Sequence, residues 1–182
     1  MALLGTAGSA DGKPKTASAE LYRLVVRAQM AARSADSKLF TNMEAVSSAV
    51  EKYHKEHGRL PQSEPENEEL EKSLAALATK NPYLDDEMLA QQLAIEERHP
   101  NQTITYRITT DLGLSQSWAT QLVKTPPESW TAPPGTVSIV HNTSDFVLIW
   151  SSGADGRPIK EDSTGTARTI LRQLESPAPE AK

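Results

Sequence analysis

One apolar stripe dominates the first third of the chain. Its members recur at steps of three and four residues between positions 21 and 53, which is the period of one face of an α-helix. They are Leu21, Leu24, Val25, Ala28, Ala32, Ala35, Leu39, Met43, Val46, Val50 and Tyr53. At about 1.5 Å per residue such a helix is roughly 50 Å long, and we predict it as one continuous helix over residues 19–57. A small domain cannot bury all of it, so its first part must meet a partner or carry the domain away from something.

The pattern after this helix predicts a loop and two short helices. Gly58 favours the left-handed conformation that ends helices, and Pro61 prevents the helix from resuming. A polar loop follows over residues 62–68. Beyond it, Asn81-Pro82 separates two helical stripes, which are formed by Leu70, Leu74 and Leu77 and by Leu84, Met88, Leu89 and Leu93.

The period changes from residue 101 onwards and becomes typical of β-strands. Residues 103–108 and 136–140 alternate between apolar and polar side chains, and residues 146–150 form a continuous apolar strand. The last two strands are joined by a short turn and predict an antiparallel hairpin. The long connection before them has room for an extra helix near residues 115–123 or for an irregular excursion. Residues 167–174 predict a short C-terminal helix.

These elements predict an α+β fold, with a long N-terminal helix packed on a small antiparallel sheet of three to four strands and with extra short helices. We expect the sheet to lie over the second half of the long helix. The predicted boundaries are a disordered leader over 1–18, one domain over 19–175 and a disordered tail over 176–182. Within the domain we expect the long helix at 19–57, a helical connection at 58–100, the antiparallel sheet at 101–163 and the C-terminal helix at 164–175.

Composition excludes several classes of function. The 182 residues carry a net charge of −5, which disfavours nucleic acid as a partner because phosphate binding needs a dense basic face. The chain has no cysteine, so disulfides, zinc-thiolate sites and thiol nucleophiles are excluded. No run of eighteen apolar residues occurs. We therefore expect this chain to be soluble, without an export signal of its own.

Residues 151–163 form the one loop with suggestive chemistry. It offers Asp155, Glu161 and Asp162 beside two glycines, and calcium takes six to eight oxygens from such a mixture of carboxylates and carbonyls. Arg157 and Lys160 would neutralise much of this negative charge. The residues alone therefore leave two interpretations open, a calcium site or a polar β-turn after a strand.

Two segments of the chain resemble one family when they are taken together. Residues 27–34 and 43–46 combine small side chains with arginines, and residues 50–61 carry Tyr53, several polar residues and then Gly58-Arg59-Leu60-Pro61. This region resembles the end of the long helix in type IV pilins and type II secretion pseudopilins. Residues 146–156 are similar to the pseudopilin strand that ends in Ser-x-Gly-Ala/Pro-Asp-Gly, here Ser151-Ser152-Gly153-Ala154-Asp155-Gly156.

The resemblance implies a pilin-like fold and a non-enzymatic structural subunit of a secretion or pilus filament. It also implies an extracytoplasmic location, pilin or pseudopilin subunits as partners, and calcium at Asp155 and Asp162. Family members carry an apolar anchor that residues 1–18 do not contain, so contact with a membrane is expected only through an anchor absent from this chain. The family's Asp-Pro-Trp-Gly motif is absent as well, which fits a minor or divergent subunit better than a major one. The expected partner-binding face consists of Leu21, Leu24, Val25, Ala28 and Ala32.

Two other classes of function remain open from the residues. One is a soluble binding protein whose stripe over residues 21–35 docks a partner helix or groove. The other is a hydrolase that uses Asp155, Glu161 and Asp162. The chain has no nucleophile motif and no paired histidine that would support hydrolysis, so we expect no enzymatic activity.

Overall fold

A computed structural model describes residues 13–95, 100–161 and 165–175. The predicted tail over 176–182 lies outside the described residues, as does most of the predicted leader. The first described element is helix α1 (Lys13–His57), which is continuous over its whole length. Residues 13–18, which the sequence pattern placed in the leader, are part of this helix. This stretch holds two lysines and only one apolar side chain besides Pro14, namely Ala17, so it shows no apolar period that could extend the predicted helix.

The end of α1 follows the sequence signals. Gly58 has a φ of +72°, and its N–H donates to the carbonyl of His54 at 2.8 Å, which ends the helix in the left-handed conformation that glycine adopts easily. His54, Lys55 and His57 occupy the last turn, where positive charge complements the helix dipole.

Four strands form one sheet in the order β1-β2-β3-β4. They are β1 (Thr105–Thr110), β2 (Thr136–His141), β3 (Phe146–Ser151) and β4 (Thr169–Gln173). The β2–β3 and β3–β4 pairs are antiparallel, and the predicted hairpin is β2–β3. The α+β class, the long helix and the four-stranded sheet are thus confirmed.

Two details of the predicted sheet were wrong. First, β1 pairs with β2 in parallel, with Thr105 beside Thr136, so the sheet is mixed and not wholly antiparallel. The long connection between these strands crosses the sheet and returns the chain to the end where β1 began. Second, strand β4 (Thr169–Gln173) lies within the stretch that was predicted as the C-terminal helix over 164–175, and it pairs with β3 and completes that side of the sheet.

Three further helices connect these elements. They are α2 (Glu64–Leu74), α3 (Glu87–Ile95) and α4 (Gln116–Lys124), and short 3-10 turns lie at Ala75–Leu77 and Pro82–Leu84. Helix α4 confirms the first of the two alternatives for the β1–β2 connection, an extra helix near residues 115–123. Ser115 caps it, because its side chain accepts a hydrogen bond from the N–H of Trp118.

The core has one cluster on each face of the sheet. On one face α1 packs on the sheet, and the expected inward positions Leu39, Met43, Val46, Val50 and Tyr53 are all buried there. On the other face α4 contributes Ala119 and Leu122 to a smaller cluster with Phe146 and Leu148. The burial of α1 begins at Ala35, so the sheet covers the second half of the helix, as expected.

Candidate functional site

The first half of α1 carries the candidate site, which we call the stem and define as residues 19–34. Five large apolar side chains of the stem are between 47% and 70% exposed. Large apolar surfaces of this kind on a small protein commonly mark contacts with other molecules. The exposed side chains are Leu21, Tyr22, Leu24, Val25 and Met30.

The apolar side chains of the stem form two strips whose centres are roughly 140° apart around the helix axis. The first strip consists of Leu21, Leu24, Val25, Ala28 and Ala32, the partner-binding residues expected from the sequence. The second strip consists of Tyr22, Val26 and Met30, which are spaced four residues apart. Met30 follows Leu21 by nine residues, or about two and a half helical turns, so these two side chains point in opposite directions. Tyr22 lies closer to the first strip, about 60° from Val25. Sequence reasoning found the first strip and missed the second, although the i, i+4 spacing was visible.

Helix α3 lies beside the first strip and forms a groove with it. This stem groove has a volume of about 470 Å³. The stem supplies one wall, including Leu24, Val25 and Ala28, and the loop after β3 adds Ala154 and Asp155. The other wall is α3, which contributes Met88, Leu89, Gln92 and Leu93. The structure therefore brings the expected helix face together with one of the two predicted short helices, in a position that the sequence did not indicate.

Polar contacts to both halves of α1 hold α3 in place. Arg27 pairs with Asp86 at 3.3 Å, and the same carboxylate accepts hydrogen bonds from the N–H groups of Met88 and Leu89 at the start of α3. These backbone hydrogen bonds, together with Arg27, lower the pKa of Asp86. Asp86 is therefore charged at neutral pH and caps α3 while it anchors that helix to the stem.

A buried contact fixes the turn just before α3. The hydroxyl of Tyr83, a fully buried residue, donates a hydrogen bond to the carboxylate of Asp36 on α1. Burial raises the pKa of Asp36, because a low-dielectric environment disfavours its charged form. Lys38 also pairs with Asp85 at 2.6 Å. These contacts join residues 47 positions apart in the chain, a separation at which no local motif could reveal them.

Charge is distributed unevenly around the site. The stem carries Arg23, Arg27 and Arg33 and only one acidic residue, Glu20, in a chain whose net charge is −5. The opposite wall begins with Asp85, Asp86 and Glu87, and Asp155 lies in the groove lining. The stem is therefore basic, and the rim of the groove carries acidic residues, of which Asp86 and Asp85 are already paired with Arg27 and Lys38.

The candidate calcium loop is a tight turn in the structure. Asp155 Oδ1 accepts a hydrogen bond from the N–H of Arg157 at 2.9 Å, and the N–H of Gly153 donates to the carbonyl of Arg157 at 2.7 Å. Gly156 has a φ of +74°. The other predicted ligand, Asp162, lies outside the described residues, so the calcium site remains a prediction.

A polar cleft of about 720 Å³ lies between this loop and α1. Asp36, Asp155 and Glu161 line it together with the cations Arg33, Lys160 and Arg168. Within the ranges that the structure describes, no group of three or more histidines or carboxylates is arranged to hold a metal ion. His54 and His57, which follow each other within one helical turn, lie in different environments: His54 is buried, whereas His57 stacks on Tyr53 with ring centroids 4.0 Å apart.

Comparison with known proteins adds no family assignment. No protein-family model, no curated protein and no solved structure matches the chain. Among the described residues, no helix is both long enough and apolar enough to cross a membrane.

Proposed function

We propose that the chain is a non-enzymatic structural subunit of a pilin-like or pseudopilin filament that assembles through its stem in an extracytoplasmic compartment. The observation that carries this proposal is the pair of apolar strips on two sides of the stem, whose large side chains are all exposed apart from the half-buried Val26. A helix that is apolar on more than one side is stable in water only when it is covered from more than one side. Neighbouring subunits in a filament provide such cover.

The arrangement favours open-ended assembly over a closed pair. Two different surfaces on two sides of one helix allow each subunit to contact one neighbour through each surface, and such heterologous contacts produce filaments when they do not close into rings. The domain built around the sheet buries its own apolar residues. The stem is the part of the described chain with the largest exposed apolar side chains in a continuous run.

The resemblance of residues 27–61 and 146–156 to pilins and pseudopilins supports the filament class and the extracytoplasmic location. The competing function is a soluble binding protein that holds one partner helix, and the stem groove favours it as the second candidate. The two functions differ in the second strip. A filament subunit needs Tyr22 and Met30, whereas a protein that binds one helix in the groove does not.

Association on a membrane surface tests the proposal. The chain, carrying an N-terminal histidine tag, is tethered to phosphatidylcholine vesicles that contain a nickel-chelating lipid. Because the chain has no cysteine, a single Gln116→Cys substitution on the exposed side of α4 accepts either a donor or an acceptor dye. Tethering raises the effective concentration of stems to the millimolar range, so weak contacts become measurable as energy transfer.

The proposal predicts energy transfer above the level of randomly placed molecules. We expect Leu21→Ser/Leu24→Ser and Tyr22→Ser/Met30→Ser each to return it to the random level. Leu112→Ser is the matched control, because Leu112 is 77% exposed but lies outside the stem, and it should leave the transfer unchanged. Wild-type transfer at the random level would contradict a self-assembling subunit. Transfer that depends on the first strip alone would favour the binding protein.

A further inference from the structure

We propose that the stem groove is the receptor for the second strip of another copy of this chain, so that subunits join head to tail. This inference rests on the proposed filament function and names the contact that would build it. The occupant is the side of the stem that carries Tyr22, Val26 and Met30. The receptor is the groove between the first strip and α3.

The two surfaces match in length. The stem side of the groove runs from Leu24 to Ala32, and the second strip runs from Tyr22 to Met30. Each covers eight residue steps of α-helix, which is about 12 Å. Tyr22 and Met30 are 70% and 67% exposed, so both ends of the strip are available to enter the groove.

The groove has the side chains that a helix needs for close approach. Ala28, Ala32 and Ala154 present only methyl groups to it, and small residues allow helix backbones to come near one another. Met88 on the opposite wall is flexible and can adapt its shape to an incoming aromatic ring. Tyr22 is therefore a suitable anchor for the α3 side of the groove.

The charges on the two surfaces are complementary. Arg23 lies beside the second strip on the helical wheel, about 20° from Met30. Asp155 lies in the groove lining, and Glu87 stands at the start of α3 next to Met88. Contact between the basic second strip of one copy and the acidic groove rim of another is electrostatically favourable, whereas contact between the second strips of two copies is repulsive. This selects a head-to-tail contact over a symmetric one.

Disulfide trapping tests the contact. Met30→Cys places a thiol in the second strip, and Gln92→Cys places one at the exposed groove wall on α3. The two single variants are mixed on the tethering vesicles described above and oxidised gently. The matched control mixes Met30→Cys with Leu112→Cys, whose side chain is equally accessible but lies outside the stem. Native cysteines cannot interfere, because there are none.

We expect the Met30→Cys and Gln92→Cys mixture to give about tenfold more heterodimer than the control mixture, as a specific contact raises the local thiol concentration. Adding Arg23→Glu to the Met30→Cys variant should reduce the yield severalfold. Predominant Met30→Cys homodimers would overturn the inference, because they report a symmetric contact between two strips. Heterodimer at the control level would overturn it as well.

The energy-transfer experiment separates this inference from the proposed function. If the tethered wild type shows stem-dependent transfer but the cysteine pair does not cross-link above the control, the groove contact is wrong and the filament function stands. If transfer itself stays at the random level, the filament function fails and the contact fails with it.

Discussion

The packing of Gly135 against the buried side chain of Asn81 can be tested by substitution of both residues. The buried amide of Asn81 donates to the carbonyls of Asn101 at 2.9 Å and Pro134 at 2.8 Å, and its Oδ1 accepts from the N–H of Tyr83 at 3.1 Å. Asn81→Ala leaves these three backbone groups without that partner. Since an unsatisfied buried group costs about 1–3 kcal/mol, we expect a loss of about 3 kcal/mol in the free energy of unfolding.

Gly135 is the second half of this test. It has a φ of +85°, and a Cβ at this position would lie 2.3 Å from Asn81 Nδ2. Gly135→Ala should therefore cost about 1–2 kcal/mol for the left-handed conformation and about 1–3 kcal/mol more for the clash. In the Asn81→Ala background the clash disappears and only the conformational cost remains. The double-mutant cycle should show a coupling of about 1–3 kcal/mol between the two substitutions.

Urea unfolding followed by tryptophan fluorescence measures all four proteins of the cycle. Gly58→Ala is the matched control, because Gly58 also has a positive φ of +72° but has nothing within 4 Å of an added Cβ. Gly58→Ala should lower the free energy of unfolding only by the cost of the left-handed conformation, and by the same amount in the Asn81→Ala background. Additive costs for Asn81→Ala and Gly135→Ala would refute the packing described here.

Three further predictions address the core, a buried histidine and the calcium loop. Leu39→Ala should lower the free energy of unfolding by about 2–5 kcal/mol, because Leu39 is fully buried. Leu21→Ala in the dilute protein should change it by less than about 0.5 kcal/mol, because Leu21 is 63% exposed. Equal losses of the two variants in urea unfolding would contradict the division of α1 into core and stem. Burial lowers the pKa of His141 below its ordinary value of 6.5, so the unfolded chain binds the proton more readily than the folded chain. The free energy of unfolding should therefore fall as the pH drops from about 7 to 5. Urea midpoints over this range should depend less on pH in His141→Gln, and an unchanged dependence would show that this histidine does not contribute. The calcium site implied by the resemblance predicts that millimolar calcium raises the melting temperature of the wild type and leaves that of Asp155→Ala unchanged. A wild-type melting temperature that is the same in calcium and in chelator would contradict calcium binding by this loop.

The sequence predicted the elements that depend on local patterns. The stripe through Leu39, Met43, Val46 and Val50 identified the buried face of α1, and Gly58 marked its end, because both signals follow directly from helix geometry. The β2–β3 hairpin was predicted for the same reason, since its strands are adjacent in the chain and its turn is short.

Strand β4 and the parallel β1–β2 pair could not be predicted in this way. In β4, Ile170 faces the α1 cluster and Leu171 packs against the cluster on the other face, so the strand lacks the alternation of a half-buried strand. The β1–β2 pairing depends on where a long connection returns the chain, which no local period encodes. The candidate site likewise has one part that a local pattern predicted and one part that depends on long-range contacts. Its first strip was predicted from helical spacing, whereas the groove depends on contacts such as Arg27 with Asp86, which are 59 positions apart.

Hydrogen exchange of the stem tests the central claim most directly, because it compares the same amides before and after assembly. In the dilute protein we expect the amides of residues 21–30 to exchange faster than those around Val46, since only the latter part of α1 is covered by the sheet. When the chain is tethered to vesicles at high density, the stem amides should become protected while those of α4 stay unchanged. Stem amides that are already as protected as Val46 in the dilute protein, or that gain no protection at high density, would contradict the stem as the assembly surface.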